Sequence, residues 1–203
     1  LPEDHLLLAK RFGRVVANKF FQSTADYPEI AEVRKEKNHK TNIGGGWHTD
    51  HSYDSVPAMG SILVARQLPD TGGDTHFLNM ASAYDALPDD LKISISELRA
   101  VHSNRHLYGA GGYYESTDLA ENFKGQSEVG DAIHPVVVRH PESGRPVLYV
   151  NPGHTRHIQG LSSEASSELL ESIYEHAMCP SRVCKFQWEP GSVAFWDNRA
   201  TWH

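Results

Sequence analysis

The stretch Gly44–Asp54 reads GGGWHTDHSYD, and the rest of the chain is best read outward from it. His48 and Asp50 stand one residue apart. On a strand, positions i and i+2 project to the same side, so this spacing sets an imidazole beside a carboxylate. Such a pair can grip a metal ion but cannot hold it alone. His203, the last residue of FWDNRATWH, offers a third donor from a distant segment.

Two histidines and one carboxylate on one face of a metal are the facial triad of non-haem Fe(II) oxygenases, which leaves positions open for cosubstrate and O2. The donor set neutralises only part of the metal's charge, so an anionic chelating cosubstrate still binds. The spacing alone equally fits a pair of strand-edge polar residues. A Zn2+ hydrolase using the same three ligands is a second enzymatic reading. A non-enzymatic jelly-roll module with a dead site is a third.

Upstream of the motif, Asn42–Gly46 is a glycine loop, either a close backbone approach to a ligand or a flexible turn. Pro2–Gly13 reads as a helix, with Pro2, Glu3 and Asp4 at its start and Gly13 as its stop. Val15–Phe21 reads as a short extended stretch, and Tyr27–Lys40 as an exposed edge strand and turn. Downstream, Gly60–Gln67 is apolar and β-prone, a buried strand; Thr75–Asn79 is another. Ser82–Ala86 and Asp89–Leu98 read as helices capped by Ser82 and Asp89. Val101–Gly130 is rich in Gly, Asn, Ser and Tyr and weakly patterned, a candidate lid over a site. His134–His140 and Pro146–Asn151 form a hairpin signature. Ser163–His176 is a helix opened by Ser163, with Leu169, Leu170, Ile173 and Tyr174 at helical spacing. Cys184–Trp188 and Ser192–Trp196 are the last strands. Short strands dominate, and the ligands come from strands far apart in sequence. An antiparallel double sheet brings such strands to one open end. The fold expected is mainly β with flanking helices: a double-stranded β-helix, the cupin-like jelly roll.

The 203 residues suit one domain or at most two. The net charge of −7 disfavours nucleic acid or an anionic membrane, because no basic excess exists to release counterions from phosphate. No apolar run is long enough to span a bilayer. Cys179 and Cys184 form no Cys-x-x-Cys pair and read as reduced thiols of a cytoplasmic protein.

Four stretches in order carry a family: GWHTDHSYD, PAMGSILVARQLPDTGGDTHF, HPVVVRHPESGRPVLYVNPGHT and GSVAFWDNRATWH. Together they resemble the taurine dioxygenase (TauD/TfdA) family of Fe(II)- and 2-oxoglutarate-dependent dioxygenases over nearly the whole chain. The resemblance implies that His48, Asp50 and His203 bind Fe(II), and that the Thr75 hydroxyl helps hold a carboxylate of 2-oxoglutarate. It implies O2 as second cosubstrate, succinate and CO2 as coproducts, and a small organic anion as substrate: a sulfonate, a sulfate ester, or an aryloxy or other carboxylate. It also implies a homodimer or homotetramer. Trp47 and Trp196 are expected to wall the metal site, and Asp197, Asn198 and Arg199 to fix the last strand. The substrate positions of the taurine enzyme fall at Asn18, Phe21, His51 and His154. Those identities argue against a strict taurine enzyme. The arginine that binds the far carboxylate of 2-oxoglutarate is expected beyond His203. The sequence is therefore expected to be a single dioxygenase domain, 1–203, lacking its N-terminal start and its closing C-terminal strands.

Overall fold

A computed structural model describes residues 1–123 and 129–203. The chain forms two compact units, Leu1–Gly45 with Asn104–Gly130, and Gly46–Ser103 with Asp131–His203.

The first unit holds helix α1 (Pro2–Lys10), strands β1 (Ser23–Thr24) and β2 (Tyr27–Ala31), and helix α4 (Arg105–Tyr108), with single 3-10 turns at Tyr113–Ser116 and Ala120–Asn122. Proline at the first turn and Lys10 in the last match the capping signals of α1, yet the helix buries no residue. β1 and β2 pair antiparallel. The apolar stretch before them is irregular rather than a strand; only Phe21 bridges, to Phe123. Aromatic stacking organises the unit. Phe20 lies 4.5 Å from Tyr108, Tyr108 5.5 Å from Tyr114, and Tyr114 4.4 Å from Phe123, between ring centroids. Such pairs add about 0.5–1.5 kcal/mol each beyond area burial. The expected structureless lid is thus corrected over its described part: its start is a strand and residues 105–122 form short helical turns. Residues 124–128 lie outside the described residues.

The second unit is the jelly roll. Its strands are β3 (Gly60–Val64), β4 (Thr75–Asn79), β5 (Arg99–Ser103), β6 (Asp131–Pro135), β7 (Val137–Arg139), β8 (Pro146–Leu148), β9 (Thr155–Ile158), β10 (Val183–Phe186), β11 (Val193–Asp197) and β12 (Thr201–Trp202). All pairings are antiparallel. β4 lies between β10 and β12, β5 between β6 and β9, and β11 pairs with β3; β7 and β8 make a hairpin shorter than expected, because the 134–140 stretch breaks at Val136 into β6, which pairs with β5, and β7. β3 is half-buried along its whole length rather than buried, and Gly60 opens it because a Cβ there would lie 2.6 Å from the Trp196 carbonyl oxygen of β11. Side chains of β4 alternate in use: Leu78 is fully buried in the core, while Phe77 meets Trp196 of β11 at 5.4 Å on the opposite face.

Helices α2 (Met80–Asp85), α3 (Asp89–Ile95) and α5 (Ser163–Ala177) flank the core. Each N-terminus corrects the expected cap. Asn79, not Ser82, caps α2, accepting from the Ala81 and Ser82 amides. Pro88 precedes α3, leaving Asp89 in its first turn. Ser162, not Ser163, caps α5 by accepting from the Ala165 amide. At α2 and α5 the polar side chain that accepts an amide two or three residues ahead of it is the cap, whereas no side chain caps α3. On α5, Ser166, Leu170, Ile173 and Ala177 are buried, the i, i+4, i+7, i+11 stripe of an amphipathic helix. Ser166 is tolerated there because its hydroxyl accepts the Ile158 amide at 2.8 Å. The core closes around Leu78, Ile95, Val136, Val147, Ile158 and Trp202. Among the described residues no helix is long and apolar enough to cross a membrane.

Candidate metal centre

The motif segment lies outside the regular strands, which corrects the expectation of a strand. Extended backbone and one reciprocal pair of hydrogen bonds do the same work. The His48 amide donates to the His203 carbonyl at 3.1 Å, and the His203 amide returns the bond to His48 at 3.0 Å. Residues that exchange both bonds stand directly opposite with side chains on one side. The two rings accordingly lie 4.2 Å apart, centroid to centroid. Thr49 strengthens the junction, its hydroxyl donating to the Thr201 carbonyl at 2.9 Å.

Asp50 then turns its carboxylate toward both rings. Its Oδ1 lies 3.6 Å from His48 Nε2 and 3.8 Å from His203 Nε2, and the donor atoms of the three residues all lie within 4.8 Å of one another. His48 Nδ1 bonds the Gly46 carbonyl at 2.8 Å. That carbonyl can only accept, so the proton sits on Nδ1 and the Nε2 lone pair is left for a metal. Burial holds His203 down to about 4, keeping its imidazole neutral. Burial opposes the Asp50 charge, but His203, His48 and the Ser61 hydroxyl outweigh it and hold the carboxyl below its ordinary value. Two imidazole Nε2 atoms and one carboxylate oxygen form a donor set that fits a divalent first-row metal.

The surroundings are aromatic on one side and polar on the other. Trp196 packs on His203 at 4.7 Å and Phe77 at 6.2 Å, so Trp196 walls the site as expected. Trp47 does not: its ring neighbours His76 and packs against the core. Thr75 shares its face of β4 with Phe77, and its hydroxyl accepts from Trp188 Nε1 at 2.9 Å. The hydroxyl's own proton remains available to an anion. An open groove of about 450 Å³, lined by Phe77, Phe186, Val193, Trp196 and Thr201 among others, runs beside these rings.

Of the expected substrate positions, His154 is brought to the site. It is buried, with its ring edge toward His48 at 6.0 Å and toward Tyr53 at 4.8 Å. His51 adopts φ 62°, and its Nδ1 pairs with Asp54 at 2.9 Å, which shapes the turn after Asp50. Asn18 and Phe21 belong to the first unit. There Asn18 accepts from the Phe20 and Phe21 amides, and Phe21 packs on Phe123. Asp197 and Arg199 are structural, as expected. Arg199 grips both oxygens of Asp197, His140 bonds the same carboxylate at 2.9 Å, and Glu142 completes the cluster.

A histidine layer supports the motif turn. His134 Nε2 bonds the Asp54 carbonyl at 3.0 Å, and its ring meets fully buried His102 edge-on at 5.4 Å. Burial first, then His134, holds His102 down to about 3. Between about pH 6.5 and 3 the unfolded chain therefore binds a proton here that the folded chain refuses. Stability is expected to fall with decreasing pH across that window, this residue contributing a slope of about 1.4 kcal/mol per pH unit. Urea titrations from pH 6.5 to 4.5 should show a shallower slope in His102→Gln; an unchanged slope would assign the acid sensitivity elsewhere.

Sequence reasoning did not find Ser61, Gly153 or Phe77. A Cβ at position 153 would lie 2.6 Å from His48 Cβ, so only glycine fits behind that ligand. The chain matches the family described as "Taurine catabolism dioxygenase TauD, TfdA family" over residues 2–203. It belongs to the TauD/TfdA family. It is 35% identical over 205 residues to the (S)-phenoxypropionate/alpha-ketoglutarate-dioxygenase of Sphingobium herbicidovorans, covering 99% of this chain and 71% of that protein. It is 34% identical over 199 residues to the alkylsulfatase of Acinetobacter baylyi, covering 96% of this chain and 61% of that one. A taurine dioxygenase from Burkholderia xenovorans, known by crystal structure, superposes with a TM-score of 0.79 at 34% identity, over 100% of this chain and 64% of that chain. This member of the TauD/TfdA family thus spans roughly two thirds of the length of such relatives.

Proposed function

We propose that this TauD/TfdA-family chain carries the catalytic centre of an Fe(II)- and 2-oxoglutarate-dependent dioxygenase that hydroxylates a small organic anion. The observation that supports it most directly is the convergence of His48 Nε2, Asp50 Oδ1 and His203 Nε2. When bound, Fe(II), 2-oxoglutarate and O2 supply the oxidising chemistry, with succinate and CO2 as coproducts. The chain's own residues hold and orient. His48, fixed as the Nδ1–H tautomer by Gly46, and neutral His203 donate lone pairs, and Asp50 supplies one negative charge. Thr75, whose hydroxyl accepts from Trp188, would donate a hydrogen bond to a carboxylate of 2-oxoglutarate. Trp196 and Phe77 exclude water from the His203 side.

The substrate class follows from relatives named for phenoxypropionate and for alkyl sulfate, both small organic anions. His154 beside His48 is the residue best placed to contact it, with His51 shaping the adjacent turn. Family resemblance supports a homodimer or homotetramer, and free Cys179 and Cys184 suit a reducing, cytoplasmic setting. Anaerobic titration of the Fe(II)-loaded protein with 2-oxoglutarate tests the reading. A visible charge-transfer band is expected, absent in His48→Ala. Full Fe(II) occupancy without a band would overturn it in favour of a Zn2+ hydrolase or a dead site.

A further inference from the structure

Asp50 has two carboxylate oxygens, and the structure uses them differently. Oδ1 faces the two histidines, while Oδ2 accepts the Ser61 hydroxyl at 2.7 Å. Ser61 lies on β3 directly opposite Trp196 of β11, so the strand pairing that places Trp196 over His203 also places the hydroxyl under Asp50. Behind Ser61 stands Asn198, fully buried. Its Nδ2 donates to Ser61 Oγ at 3.1 Å and to the Ala58 carbonyl at 3.3 Å, and its own amide donates to the Met59 carbonyl at 2.9 Å. The carbonyl of Ala58 fixes which end of the Asn198 side chain is the amide nitrogen. Ser61 Oγ also lies 3.5 Å from Asn198 Oδ1, but its single proton goes to the nearer Asp50 Oδ2 at 2.7 Å, so Asn198 donates to Ser61 and Ser61 donates to Asp50. Each polarises the next.

We infer that Ser61 and Asn198 are positioning residues that commit Asp50 to binding its metal through Oδ1 alone. With Oδ2 held by Ser61 at 2.7 Å, rotating the carboxylate to present both oxygens would cost that bond, so Oδ1 is the oxygen that would meet the metal. Neither residue touches the metal, and both act through Asp50. The inference rests on the metal-binding reading above.

The test is Mn(II) binding to the full chain, followed by loss of the free-ion EPR signal, with no turnover involved. Ser61→Ala is expected to weaken Mn(II) binding about 10–100-fold, while Ser61→Thr, which keeps the hydroxyl, binds within a few-fold of the parent. Asn198→Asp is nearly isosteric but can only accept. It draws the Ser61 proton away from Asp50 and is expected to match Ser61→Ala in Mn(II) affinity. Parent-like binding by Ser61→Ala would overturn the positioning role and leave the metal reading intact. Equal weakening in Ser61→Thr with a native circular dichroism spectrum would also overturn it, since a hydroxyl would then not be what matters. Failure of the unaltered chain to bind Mn(II) would overturn both readings.

Discussion

Gly153→Ala is expected to weaken metal binding by about two orders of magnitude, as much as a direct disturbance of a ligand. The added methyl would sit 2.6 Å from His48 Cβ and 3.4 Å from the Trp47 carbonyl oxygen, whereas carbon atoms in contact settle at about 3.5–4.0 Å. Close to an ångström must be found. It cannot be found cheaply, because the Gly153 amide donates to the Trp47 carbonyl and His48 is pinned through both bonds to His203. Gly153 is not among the glycines with positive φ, so alanine suits its backbone and the whole effect is steric. Disturbing the support of a metal ligand costs up to about 100-fold in metal affinity, and overpacking costs about 1–3 kcal/mol of stability. Isothermal titration with Mn(II) reads the first and urea denaturation the second. Parent-like affinity would show that His48 relaxes freely and that its placement is not set from behind.

Trp202→Ala should give the largest loss of stability of any single truncation in the second unit, about 3–5 kcal/mol. Trp202 is the largest fully buried side chain, at 1% exposure. Its indole N–H donates to the Val150 carbonyl at 2.9 Å, and Tyr174 of α5 packs edge-on at 5.6 Å. Truncation opens a cavity and strands a buried carbonyl. On a domain stable by about 5–15 kcal/mol this is a large share, and melting should fall by roughly 6–20 °C. Trp202→Phe refills most of the volume but still leaves Val150 unpaired, so it should fall between parent and alanine. Because His203 follows immediately, metal affinity should fall with stability in both variants. A melting temperature within about 2 °C of the parent for Trp202→Ala would refute the assignment of this residue as the core's anchor.

The candidate ligands His48, Asp50 and His203, which the fold brings together, were legible because metal binding admits few residue types, and a spacing of two is a local property. The strands Thr75–Asn79 and the 137–148 hairpin, and the stripe of α5, were legible because alternation and helical period encode burial along one element. The helix caps slipped by up to three residues, since Asn79 and Ser162 become caps only once the chain direction is fixed. The 101–130 stretch misled more deeply. Its Tyr108 and Phe123 show no period because their partners, Phe20 and Phe21, lie far away in sequence.

Sequence alone therefore determined the β-rich class, the family and the candidate donor set, each written in residue types and short-range order. Only the tertiary structure decided which carboxylate oxygen faces the histidines, that Ser61 and Asn198 stand behind it, that Gly153 must lack a side chain, and that Trp47 packs against the core while Trp196 covers His203. Those facts depend on which strands lie side by side. Strand pairing is a long-range choice made by the burial of the whole core, and no local pattern records it.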